Sequence, residues 1–250
     1  MNTDSSQTIR LDISDGVSVT AKIDAPRRMT STTAGLILAH GAANDLDHPL
    51  LSWVAARLAA ENAALVLRFN FPYADRGDGS SDSRPVLEKT FRRAYDYLVN
   101  ELLESGAPVL LGGKSLGGRF AAEFVSGVAE GDALPAAGLL VLGYPLHAPG
   151  RQDRLNVKPL EGINVPSLFF VGTRDPFCEP ELLEPILAGL PHPGRLVIVA
   201  GGDHSFHLPK SSGRGTEDAF DSIGAEATAF VKEVSGRQRG KGTERSEEDD

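Results

Sequence analysis

Ser115 stands in the run Val109-Leu110-Leu111-Gly112-Gly113-Lys114-Ser115-Leu116-Gly117-Gly118-Arg119, with glycines two positions before and two positions after it. An apolar strand pattern precedes it, and Leu116, Phe120, Phe124 and Val128 recur at helical spacing behind it. Gly-x-Ser-x-Gly at such a junction is the pattern of a nucleophile elbow, in which a strand turns sharply into a helix and lifts the serine hydroxyl to the tip of the turn. Glycine is needed on both flanks because the turn leaves no room for side chains between strand and helix. A hydroxyl is a poor nucleophile near neutral pH, so the chain must also supply a histidine to take its proton and an acid to orient that histidine.

Behind a serine elbow of this kind the acid comes first and the histidine second, each on a loop after a later strand. Asp175 fits the first place: it follows the apolar run Phe169-Phe170-Val171-Gly172 directly, whereas the strand before that one, Gly138 to Tyr144, is followed by no acid until Asp153. Its plainer role would be a helix cap or a turn residue before Pro176. His204 fits the second place, on the glycine-bearing turn Gly201-Gly202-Asp203-His204 after the last strand, with His207 as runner-up. His40, His48 and His147 precede Asp175, and His192 precedes the final strand. Negative charge developing on a carbonyl oxygen must be met by fixed N–H donors. Leu116 offers one and Ala42, in His40-Gly41-Ala42-Ala43, offers the other, with Gly41 permitting the close turn. His40 reads as a buried, hydrogen-bonded support. Tyr73, Tyr144 and His147 lie at strand ends beside Arg68, where substrate contact and ordinary packing both remain open.

Two rival chemistries compete for the same residues. Gly113-Lys114-Ser115 resembles the end of a phosphate-binding loop, but that motif needs a glycine where Pro108 stands, and proline has no N–H to offer a phosphate. Asp45, Asp47 and His48 cluster, as do Asp203, His204 and His207, without any recognised metal-ligand spacing. No metal and no cofactor is expected.

The elements that must carry these residues alternate. Thr8 to Ile13 and Val17 to Ile23 read as a hairpin about Asp15-Gly16. Strands follow at Gly35 to Ala39, Leu65 to Phe69, Val109 to Leu111, Ala137 to Tyr144, Pro166 to Val171 and Arg195 to Ala200. Helices are expected over Pro49 to Glu61, Leu87 to Leu102, the segment after Ser115, Glu179 to Leu190 with a break or kink at Pro185, and Thr216 to Val234. Asn70 to Pro85 reads as an exposed loop, and Pro145 to Val165 is too short for a lid domain. The alternation predicts a mostly parallel sheet with helices on both faces. With 250 residues, one α/β domain over residues 1–234 is expected, followed by a disordered charged tail over 235–250 that has no large apolar residue to bury.

A formal net charge of −9 argues against general affinity for nucleic acid or anionic membranes. Cys178 is the only cysteine, no stretch approaches the length of a membrane helix, and the first residues lack a secretory pattern, so a cytoplasmic location is expected.

Taken together, His40-Gly41-Ala42, Asp47-His48-Pro49, Arg68-Phe69-Asn70-Phe71-Pro72-Tyr73, Gly112 to Arg119, Gly143-Tyr144-Pro145-Leu146-His147, Gly172-Thr173-Arg174-Asp175-Pro176-Phe177 and Gly202-Asp203-His204-Ser205-Phe206 resemble one α/β-hydrolase family. This is the dienelactone-hydrolase-like group that also includes a testis-expressed protein and a subunit of a chromatin acetyltransferase complex. The resemblance spans roughly residues 30 to 235. It implies the triad Ser115, Asp175 and His204 on an α/β-hydrolase fold of about eight strands without a large lid. The chain departs from the group where relatives carry a more glycine-rich loop than Ala43-Asn44, and where they often have Arg and His in place of Asn156 and Pro159. Dienelactone hydrolases proper use a cysteine nucleophile, so lactone hydrolysis is not implied. The expectation is hydrolysis of a small-molecule acyl ester or thioester through an acyl-serine. The competing expectation is a scaffold or binding protein that keeps the fold without the chemistry.

Overall fold

In the computed structural model, residues 6–245 are described apart from 15, 130 and 132, with side chains described as far as Arg237. Eight strands form one sheet: β1 (Ser6–Ser14), β2 (Val17–Asp24), β3 (Ala34–Ala39), β4 (Ala64–Phe69), β5 (Val109–Lys114), β6 (Gly138–Leu142), β7 (Ser167–Gly172) and β8 (Arg195–Val199). Their order is β1-β2-β4-β3-β5-β6-β7-β8. The β1–β2 and β2–β4 pairs are antiparallel, and every pairing from β4 through β8 is parallel. The expected hairpin is the β1–β2 pair, with Leu11 opposite Val19 and Ile9 opposite Ala21; Asp15 of its turn lies outside the described residues. Strands β3 to β7 are buried along their whole length, which is why they read as continuous apolar runs instead of alternating ones.

Among the described residues seven α-helices accompany the sheet: α1 (Pro49–Ala60), α2 (Pro72–Arg76), α3 (Arg84–Tyr97), α4 (Leu116–Ser126), α5 (Lys158–Glu161), α6 (Pro180–Ala188) and α7 (Thr216–Arg245). They divide between two cores. Leu50, Val54 and Leu58 of α1 and Phe220, Ile223 and Phe230 of α7 pack with Leu36, Leu110, Leu140 and Phe170 on one face. Phe91 of α3, Phe120 and Phe124 of α4 and Leu183 of α6 pack with Ile37, Leu111, Val141 and Phe169 on the other. No helix among the described residues is long and apolar enough to cross a membrane. Only the four-residue α5 interrupts the connection from β6 to β7, so this segment builds no lid.

Three local expectations change. The segment after β4 is not wholly exposed: Phe71 and Tyr73 are buried and Pro72–Arg76 is helical, because these apolar residues continue into the core before the Gly/Ser/Asp-rich half begins. Helix α6 runs through Pro185 as one element, so of the expected break or kink the break is absent. Helix α7 continues past Val234 to Arg245, where a disordered tail was expected from Ser235. Ser235 Oγ donates to Val231 O and Arg237 pairs with Glu233, and extending a helix already nucleated costs far less than starting one. Residues 246–250 of the expected tail lie outside the described residues.

The topology places the chemistry. After β3 the chain moves outward to β4, then crosses back beside β3 to form β5. In an open parallel sheet this reversal leaves a crevice at the carboxyl ends of the strands. The loops after β3, β5, β6, β7 and β8 all emerge at that edge.

Candidate active site

Ser115 joins β5 to α4 with φ 51° and ψ −115°, a left-handed backbone that a non-glycine residue holds only when its surroundings force it. Its N–H donates to Leu142 O at 3.1 Å, and its carbonyl accepts from Arg119 N at 2.9 Å, anchoring the turn to β6 and to the first helical turn. The flanking glycines are dictated by contact: a Cβ on Gly117 would lie 2.3 Å from Ala39 O, and one on Gly113 2.5 Å from the Gly117 carbonyl carbon.

His204 Nε2 lies 2.8 Å from Ser115 Oγ, while His204 Nδ1 faces both carboxylate oxygens of Asp175, at 2.9 and 2.8 Å. A carboxylate only accepts, so Nδ1 carries the proton and Nε2 presents its lone pair to the serine hydroxyl. The Asp175 side chain is fully buried and also accepts from Phe177 N at 2.9 Å, and the Phe177 ring lies 4.5 Å from the His204 ring. The loops carrying acid and histidine are bonded directly, Arg174 N donating to Gly202 O at 2.9 Å. His207, the alternative histidine, is exposed and faces Asp203.

The two expected oxyanion donors are both available. Leu116 N–H lies at the start of α4, where backbone donors have no intrahelical partner, and Ala42 N–H sits in the turn after β3. Neither donates to an acceptor among the described residues. Gly41 packs directly on the elbow, since a Cβ there would lie 3.2 Å from Ser115 Cβ.

The three candidate substrate contacts are all buried. Tyr73, 2% exposed, donates its hydroxyl to Gly41 O at 3.2 Å. Tyr144, fully buried, donates to Asn156 O at 2.9 Å. His147 directs Nδ1 to Ala148 O and Nε2 to Glu179, tying the loop after β6 to the one after β7. Burial pushes the Tyr73 hydroxyl up to about 12 and raises Tyr144 as well, so both stay protonated donors. Arg68 is a structural residue, fixed by Asp24, Leu46 O and Ser52 Oγ beneath the loop. His40 is fully buried: Nε2 accepts from Phe71 N at 3.0 Å, and Nδ1 meets Gly41 O at 2.8 Å. Burial holds it below the ordinary imidazole value, hence neutral.

His48 caps α1, accepting from Leu50 N, and burial with Lys114 nearby lowers its pKa to about 4. In the metal-like clusters, Asp47 pairs with Lys22, and Asp203 accepts from the Ser205 and His207 backbone. No group of three or more His, Cys, Asp or Glu suited to a metal occurs among the described residues. Lys114 is the feature the sequence did not flag. It is 3% exposed beside the nucleophile, with no hydrogen-bond or ion-pair partner among the described residues. Burial lowers its pKa, against the opposing fields of Asp175 and Asp203.

A family model described as an alpha/beta hydrolase domain matches residues 32–232. Among solved structures, a dienelactone hydrolase from Anabaena variabilis is 19% identical, with 90% of this chain and 97% of that chain covered and a TM-score of 0.68. An alpha-beta serine hydrolase homologue from Coxiella burnetii is 16% identical, with coverage of 88% and 96% and a TM-score of 0.68. A serine hydrolase without lid from Xanthomonas campestris is 17% identical, with coverage of 88% and 92% and a TM-score of 0.65. At these identities the likeness to solved structures is one of fold; the family match spans most of the chain, which therefore belongs to the alpha/beta hydrolase domain family.

Proposed function

We propose that the protein is a serine hydrolase that cleaves a small-molecule acyl ester or thioester. The observation that carries this reading is the 2.8 Å approach of His204 Nε2 to Ser115 Oγ, with Nδ1 held by Asp175. In the first step Ser115 Oγ bonds to the substrate carbonyl carbon and its proton passes to His204 Nε2. Ionised Asp175 stabilises the resulting imidazolium. Leu116 and Ala42 N–H groups face the oxyanion. The tetrahedral adduct collapses by breaking the bond to the leaving alcohol or thiol, which takes the proton from His204 and departs. Water then attacks the acyl-serine, gives its proton to the same nitrogen, and the acid is released as Ser115 regains its hydrogen. The short β6–β7 connection supports an open cleft and hence small or exposed acyl groups.

Labelling with a fluorophosphonate, together with turnover of short-chain p-nitrophenyl esters, tests the proposal. Wild type should label and turn over, and Ser115→Ala should do neither. Absence of both from wild type would leave the scaffold reading in its place.

A further inference from the structure

We infer that Tyr73, together with His40, is a positioning residue for the oxyanion hole, acting by clamping the Gly41 carbonyl so that the Ala42 N–H points into the site. The inference rests on the serine-hydrolase reading and assigns to Tyr73 a task other than substrate contact.

Three donors converge on one oxygen. Gly41 O accepts from His40 Nδ1 at 2.8 Å, from the Tyr73 hydroxyl at 3.2 Å and from Asn44 N at 3.3 Å. The His40 tautomer is set by its other nitrogen: Nε2 accepts the Phe71 N–H, so Nδ1 must bear the hydrogen and donate. Gly41 O and Ala42 N–H belong to the same peptide unit. That unit is planar and trans, so its C=O and N–H point in opposite directions. Fixing the oxygen from the protein side therefore fixes the direction in which the N–H leaves.

The turn needs such a restraint. The Asn44 N to Gly41 O bond closes a tight turn with Ala43 at φ 54°, a left-handed conformation unfavourable for alanine. Without donors on Gly41 O, rotation of this peptide about ψ of Gly41 and φ of Ala42 would swing the Ala42 N–H away. Tyr73 is well placed to resist that rotation. Its ring stacks on Phe71 at 6.2 Å and meets His40 edge-on at 5.7 Å, and its N–H donates to Asp82 at 2.6 Å. The hydroxyl is buried and engaged with the protein's own backbone, which leaves it unsuited to bind substrate.

Tyr73→Phe removes the hydroxyl and keeps the ring. The expected result is a fall of about 10-fold in kcat on a p-nitrophenyl ester with KM within about twofold, a smaller loss than the roughly 100- to 1000-fold typical when an oxyanion donor itself is removed. The fluorophosphonate labelling rate should fall by the same factor, and the Ala42 amide should exchange its hydrogen faster while amides of β5 and β6 do not. A folded Tyr73→Phe protein with wild-type kcat and unchanged Ala42 exchange would overturn the inference. So would a raised KM at unchanged kcat, the signature of a substrate contact. Wild type without Ser115-dependent labelling would instead overturn the hydrolase reading and take this inference with it.

Discussion

Gly172→Ala tests whether the acid and histidine loops hold the triad by direct backbone contact. A Cβ on Gly172 would lie 2.2 Å from Gly202 O, 2.5 Å from Gly202 C and 2.8 Å from Asp203 O, all backbone atoms that cannot swing aside as a side chain can. Real Cβ contacts essentially never fall below 3.0 Å, so the two loops must part by at least 3.0 − 2.2 = 0.8 Å. Asp175 follows Gly172 on one loop and His204 follows Gly202 on the other. Opening the 2.8 Å contact between His204 Nδ1 and Asp175 by that amount stretches it to about 3.6 Å, outside hydrogen-bond range. A displacement near 1 Å at reacting groups costs about 100-fold in rate. Overpacking of this kind costs about 1–3 kcal/mol, against the roughly 5–15 kcal/mol that stabilises a typical domain, so the variant still folds. The assay is kcat/KM on a short-chain ester beside the rate of fluorophosphonate labelling. Gly79→Ala serves as control, at a glycine with nothing within 4 Å of its added Cβ. A folded Gly172→Ala protein that labels within about threefold of wild type would refute the interlock as the device that sets the triad's geometry.

Two further outcomes follow from charges around the site. His147 carries hydrogen-bond acceptors on both ring nitrogens; burial opposes its charge, but Ala148 O and Glu179 prevail and raise its pKa above 6.5, while Gln152 and His147 hold Glu179 below 4.5 despite its own desolvation. The pair's stabilisation is therefore full between the two unperturbed values, fades as pH rises through the raised His147 value and fades again as pH falls through the lowered Glu179 value. The difference in Tm between wild type and His147→Asn should shrink from about pH 6 to about pH 9, and a difference constant across that range would contradict the pairing. Lys114→Met replaces a largely buried side chain that has no hydrogen-bond or ion-pair partner among the described residues with an apolar one of similar length, and should raise unfolding stability at neutral pH by on the order of 1–3 kcal/mol. Because burial places the folded-state pKa of Lys114 below its unfolded value, that advantage should shrink as the solution approaches 10.5; urea titrations at neutral and alkaline pH check it, and a variant destabilised at neutral pH would contradict it.

The chain disclosed its sheet and its three principal site residues because both leave marks in the order of residue types. Buried parallel strands read as unbroken apolar runs, and Asp175 and His204 each follow such a run, so their convergence with Ser115 depends only on strand order. Tyr73 was harder to place. Its position after β4 was visible, but whether its hydroxyl turns to substrate or to backbone depends on where Gly41 O lies, which is a matter of tertiary packing. Lys114 sits inside the most conspicuous motif in the chain, yet its burial follows from its place at the end of β5, a strand covered on both faces along its whole length. The residues after Asn70 read as an exposed loop because the polar second half of the segment outweighs Phe71 and Tyr73 in composition, while in space those two rings reach the core first.

Of the strained backbone positions, only Ser115 in its Gly-x-Ser-x-Gly elbow leaves a mark in the residue pattern. Among the described residues four non-glycine positions have positive φ, and three of them, Ala43, Ser115 and Phe206, lie on the loops that carry the oxyanion turn, the nucleophile and the histidine. The fourth, Asn62, belongs to the turn after α1 and is of a type that tolerates the conformation. Alanine at 43 and phenylalanine at 206 carry no signature for it. Each such residue costs about 1–3 kcal/mol, so the three together oppose folding by roughly 3–9 kcal/mol, comparable with the whole stability of an ordinary domain. They persist because the core holds them: Phe206 is fully buried in the core shared by α1 and α7, Ser115 is bonded to β6, and the Ala43 turn is closed on Gly41 O. A scaffold that used only the outer surface of this fold would gain stability by relaxing all three. Retaining them together, at the meeting point of Ser115, His204 and the free N–H groups, is the arrangement expected where preorganised geometry serves a reaction.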